Sequence, residues 1–214
     1  MKLGGPRYFR RSILLAAACI LAVVLTACTA RGGGYLPPGA SVGTGVQFTG
    51  QAPFGFTFSC EDKGGLNPPT GKLAIELAYS DLGTSTLLGA PFSIHGIVDK
   101  IDPVLESMQC IGQNPPPVPG TLTFLGRYHL TSSAPPGFPS TCPKRETPTS
   151  PLCRFEVMVQ DKDQSSTPSP GDFFSIKLST VTCTSPTDPS CSQLSGTVFY
   201  ARAGYLAGGN VTVK

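Results

Sequence analysis

Along most of the chain the apolar side chains fall on every second residue. Phe54, Phe56 and Phe58 alternate in FGFTF, Leu73, Ile75, Leu77 and Tyr79 in LAIELAY, and Phe155, Val157 and Val159 in FEVMV. A period of two sets one face of an extended strand against a core and the other toward water. Similar runs cover residues 92–98, 122–130, 174–181, 198–200 with their flanks, and 206–213. Pro-, Gly- and Ser-rich segments separate these runs, which predicts eight or nine short strands. No window of a dozen residues spaces its apolar side chains at three and four without a Pro or Gly break, so little helix is expected. The predicted fold is all-β: a single antiparallel β-sandwich over residues 46–214. Roughly 170 residues are ample for one core of that kind.

The first 27 residues follow a different rule. A basic stretch with Lys2, Arg7, Arg10 and Arg11 precedes an almost purely apolar run over residues 13–27, the layout of a secretory signal peptide. That run is shorter than the roughly 20 apolar residues a membrane-spanning helix needs, and no stop-transfer pattern follows it. Arg10-Arg11-Ser12-Ile13-Leu14 also has the form of a twin-arginine export pattern. Leu25-Thr26-Ala27-Cys28 resembles the bacterial lipobox, in which small residues precede a cysteine. The resemblance implies a diacylglycerol thioether on the Cys28 sulfur and cleavage before that residue. Each acyl CH₂ buried in the bilayer then contributes about 0.8 kcal/mol to anchoring. The expected site is a cell membrane or outer membrane, with the domain on the extracytoplasmic side.

Cleavage changes the charge. It removes four of the sixteen basic residues and none of the thirteen acidic ones, leaving twelve against thirteen and a net charge of −1. A nearly neutral body without clustered Lys and Arg has no electrostatic footprint for nucleic acid. Residues 28–45 carry the lipidated cysteine and a Gly- and Pro-rich stretch, TARGGGYLPPGASVGTG, which reads as a flexible spacer. As a coil of about 17 residues it would reach on the order of 20 to 25 Å. Proline-rich connections at residues 113–119, 132–151 and 165–170 are candidate rim loops, where a sandwich could meet a protein or glycan partner.

Apart from Cys19 and Cys28, the cysteines number six: Cys60, Cys110, Cys142, Cys153, Cys183 and Cys191. In an exported protein an even set implies disulfides, and six cysteines allow 15 connectivities. Short loops favour Cys142–Cys153 and Cys183–Cys191, which leaves Cys60–Cys110 as the long closure. Chain entropy assigns the small loops roughly 2.5 to 3 kcal/mol each and the long one about 4. A metal site is disfavoured because no two cysteines are spaced C-x₂-C and His95 and His129 are isolated.

Little else points to catalysis, so no catalytic residue and no cofactor is assigned. Gly39-Ala40-Ser41-Val42-Gly43 matches a nucleophile elbow in letters but lies in the expected spacer, with no strand feeding a helix. His95 and His129 alternate with apolar neighbours and are expected on the solvent side of their strands. Asp161, Asp163 and Asp172 place oxygen ligands as a calcium loop does, yet the segment lacks the turn glycine and carries Pro168 and Pro170. Capping of strand ends is the preferred reading for these aspartates.

Residues 155–161 (FEVMVQD), 170–176 (PGDFFSI) and 204–211 (GYLAGGNV) together resemble the bacterial surface module called the post-COAP domain, with 71–73 and 92–98 fitting its earlier strands. The resemblance implies a secreted β-sandwich without assigned catalytic residues, here carrying extra segments at 142–153 and 183–191. The function expected is a membrane-anchored, non-catalytic binding or envelope-structural module. The alternatives are a calcium- or metal-dependent envelope enzyme and a small-ligand carrier with a hollow barrel.

Overall fold

The computed structural model describes residues 28–62, 71–97, 120–142, 153–162, 171–180 and 197–214. The expected signal peptide, residues 1–27, lies outside them, as do Cys110, Asp163, Cys183, Cys191 and the proline-rich segments 113–119 and 165–170. The described residues form eleven strands: β1 (Cys28–Leu36), β2 (Gly39–Ala40), β3 (Gln47–Phe48), β4 (Ala52–Asp62), β5 (Gly71–Asp81), β6 (Phe92–Ile97), β7 (Thr121–Leu130), β8 (Cys153–Gln160), β9 (Phe173–Thr180), β10 (Val198–Tyr205) and β11 (Gly208–Val213). The all-β class holds among the described residues, and β4 to β11 fall where the alternation predicted them.

The arrangement differs from two facing sheets. Nine strands form one antiparallel sheet in the order β10-β9-β8-β7-β6-β5-β4-β1-β11, which curls into a half-barrel, while β2 and β3 make a small separate pair. Eight antiparallel steps separate the two edge strands, so β10 and β11 run in the same direction. Only Leu206 and Ala207 lie between them. The sheet's two edges are therefore successive halves of one run of chain, the first paired with β9 and the second with β1. Twisted strands curl a large sheet, and joining its edges through one strand makes the curl obligatory.

The predicted spacer is a correction. Residues 28–36 form β1, an interior strand registered against β4 on one side and β11 on the other. Residues 28–36 thus belong to the sheet, ahead of residue 46. Glycine hid this strand, because a run such as GGG shows no apolar alternation. Its glycines serve close approach, not flexibility. A Cβ on Gly32 would lie 2.9 Å from both the Phe56 ring and the Asn210 carbonyl oxygen, and one on Gly34 would lie 2.3 Å from the Gly208 oxygen.

Across the ladder the small residues of β1 face large ones: Ala30 opposes Phe58, Gly32 opposes Phe56 and Gly34 opposes Phe54. The device recurs where Gly126 opposes Phe155, whose ring lies 2.6 Å from where a Gly126 Cβ would stand. An aromatic ring laid over a cross-strand glycine fills the space the missing side chain leaves. The half-barrel interior is packed this way. Phe54 stacks on Phe174 at 3.8 Å between centroids, and Phe124 meets Phe56, Phe58 and Phe155 at 5.4, 5.5 and 6.0 Å.

Cys142 and Cys153 are joined, as expected, with Cα atoms 5.3 Å apart. Cys60 is disulfide-bonded as well. The bond at 142 ties down a proline-rich loop whose Phe138 is buried against Phe92, Tyr128 and Phe199. This part of the 132–151 connection is thus packed into the core.

Candidate functional site

The inward parity of β5 runs Ile75, Leu77, Tyr79 and ends on Asp81; that of β10 runs Tyr200, Arg202, Gly204. Both charged residues are therefore carried into the interior, where each is only 2% exposed. Arg202 Nη1 donates to Asp81 Oδ1 at 2.9 Å, and Tyr200 Oη donates to Asp81 Oδ2 at 2.7 Å. Arg202 Nη2 donates to the carbonyl oxygens of Pro37 and Gly50 at 2.9 and 2.7 Å, and the guanidinium lies 4.4 Å from the Phe48 ring centroid. The Gly83 amide donates to Asp81 Oδ1 at 3.1 Å, and the hydroxyls of Tyr79 and Tyr200 share a hydrogen bond. Burial pushes the Tyr79 phenol far above its ordinary range, the Asp81 charge adding to the shift, and burial raises Tyr200 likewise. Both therefore stay protonated and act as neutral donors.

This cluster ties four segments together: the end of β5, the middle of β10, the turn after β1 and the loop before β4. Its polar groups are committed to one another, so it is an internal clamp. Sequence reasoning missed it, although its signal was present. Asp81 continues the alternation of Ile75, Leu77 and Tyr79, and an ionisable residue at an inward position needs a partner.

The aspartates considered for calcium have a different task. Asp172 Oδ2 accepts the Val211 amide at 3.0 Å and Asp161 Oδ2 accepts the Val213 amide at 3.3 Å. These amides lie on the edge of β11 away from β1, so the carboxylates complete the pairing that β9 and β8 do not extend to this edge. Asp172 Oδ1 also accepts the Lys162 amide at 3.3 Å, and its carbonyl accepts the Leu206 amide at 3.0 Å. Among the described residues no group of three or more His, Cys, Asp or Glu side chains could hold a metal ion.

Ser41, the serine of the elbow-like motif, is buried rather than tethered on a loose segment. Its hydroxyl accepts the Ala203 amide at 2.9 Å, and the Val42 amide donates to the Ala203 carbonyl at 2.9 Å, so residues 41–42 cover the free edge of β10. His95 and His129 are cross-strand neighbours with rings 5.3 Å apart, and His95 Nε2 lies 2.8 Å from Glu76 Oε2. They stand on the half-exposed outer parity of β6 and β7, away from the Asp81 cluster.

Two clefts open on the β1 side. One of about 370 Å³ is lined by Thr29, Ala30, Arg31, Thr57, Phe58, Thr212 and Lys214. The other, of about 240 Å³, lies between residues 36–42 and 202–205 and reaches Arg202. No protein-family model, curated protein or solved structure matches the chain.

Proposed function

We propose that the protein is an extracytoplasmic lipoprotein held to a cell or outer membrane through acylated Cys28, its half-barrel acting as a non-catalytic binding or envelope-structural module. The observation that carries this reading is Leu25-Thr26-Ala27-Cys28, which resembles a lipobox and directly follows a basic stretch and an apolar run. The non-catalytic part is supported by the commitment of the buried ionisable groups to structural bonds, and by motifs resembling a secreted surface module. Partner recognition through the loops at the sheet ends belongs to the same proposal.

The test is fractionation. Wild-type protein is expected in the membrane fraction, released by detergent and not by salt, while Cys28→Ser moves to the soluble extracytoplasmic fraction. Equal distribution of the two, with no acyl mass on Cys28, would sink the reading.

A further inference from the structure

The cleft between β1, β4 and β11 has a composition that selects a ligand class. Arg31 lies in register with Thr57 on one side and Thr212 on the other. Among the described residues its guanidinium has no hydrogen bond or ion pair, and no Asp or Glu lines the cleft. Lys214 is held beside it by reciprocal backbone bonds, Thr29 N to Lys214 O at 3.0 Å and Lys214 N to Thr29 O at 2.8 Å. Two cations and three threonine hydroxyls around about 370 Å³ suit a phosphate, because guanidinium and hydroxyl donors match its oxygens and no carboxylate is among the described residues that line the cleft.

Position then identifies the source of that phosphate. Arg31 is three residues beyond Cys28 along an extended strand, about 10 Å away at roughly 3.3 Å per residue. With Cys28 inside β1 there is no spacer to lift the cleft off the membrane. The headgroup region is roughly 5 to 8 Å deep on each side of the hydrocarbon core, so an anchor at Cys28 sets the cleft against it. We infer that the Arg31–Lys214 cleft binds the phosphate of an anionic glycerophospholipid and so fixes how the half-barrel sits on the bilayer. The inference rests on the lipoprotein reading for its geometry, whereas the chemistry of the cleft stands on its own.

The experiment uses the mature chain carrying Cys28→Ser, so that no acyl group contributes. Cosedimentation compares phosphatidylglycerol-containing vesicles with pure phosphatidylcholine vesicles. The expected result is salt-sensitive binding to the anionic vesicles alone, weakened about 30-fold in Arg31→Ala/Lys214→Ala, since each cation near an anionic surface contributes roughly fivefold. Unchanged melting of the double variant, whose substituted side chains are exposed, separates lost binding from lost folding. Titration with glycerol phosphate should shift the Thr57 and Thr212 amides. Equal binding to both vesicle types, or an unaffected double variant, overturns the inference; shifts with glycerol phosphate and no vesicle binding overturn the membrane source. Failure of the lipoprotein reading registers separately, as an unacylated Cys28 in native protein.

Discussion

Arg202 and Asp81 form an almost wholly buried ion pair. Both charges have left water, and each is matched by hydrogen bonds as well as by the other's charge. Removing one partner strands the other, at a cost of about 3 to 5 kcal/mol. Arg202→Met is therefore expected to lower the denaturation midpoint sharply, and Asp81→Leu/Arg202→Met to recover most of that loss, as urea titration would read directly. The tyrosines give a pH dependence of definite sign. Tyr79, Tyr128 and Tyr200 all have raised folded-state pKa values caused first by burial, while the unfolded value is 10.0. Their contribution is fully present below pH 10 and is lost as pH rises toward the folded values, by up to about 1.4 kcal/mol per pH unit for each group. Alkaline titration should show their tyrosinate absorbance appearing together with unfolding; its appearance in folded protein would contradict the packing. At this scale the parity of Asp81 and Arg202 was legible in the sequence. Their pairing was not, because 121 residues separate them and only the curl of the sheet brings β5 and β10 together.

For the strands, legibility followed side-chain size. β4 to β9 announce themselves because large apolar residues mark most inward positions, and period-two patterns survive without any knowledge of partners. β1 gives no such mark. Its inward positions run Ala30, Gly32 and Gly34 before reaching Leu36, and the bulk that fills the core beside the first three is supplied by Phe58, Phe56 and Phe54 on the neighbouring strand. Information about β1 therefore resides in β4, where single-segment reading does not look. Asp161 and Asp172 raise a related point. Their strand-flanking position was visible, and capping was the preferred reading, but the strand they serve is β11, some 40 to 50 residues away along the chain. Replacing Asp172 by Ala leaves the Val211 amide buried without its acceptor, which costs about 1 to 3 kcal/mol. Hydrogen exchange should then accelerate at Val211 and Lys162 well before it does in β5 or β8. Uniform acceleration across the sheet would show that Asp172 acts on global stability instead of on the edge of β11.

The whole molecule is held by one topological fact: the last run of chain supplies both edges of the sheet. Its first half closes on β9 and its second on β1, with Asp161, Asp172, Ser41 and the Arg202 clamp bridging what the ladders leave open. That fact brings residue 28 beside residue 214 and makes the expected membrane attachment point part of the sheet. It also sharpens the central claim, because Cys28 lies directly across the ladder from Cys60, which is disulfide-bonded. One sulfur cannot carry both a thioether and a disulfide. Intact mass and non-reducing peptide mapping of the mature protein from native membranes decide between them. The account predicts a diacylglycerol thioether on Cys28, Cys142 joined to Cys153 and Cys60 joined to Cys110. A peptide linking Cys28 to Cys60, with no acyl mass, would contradict it.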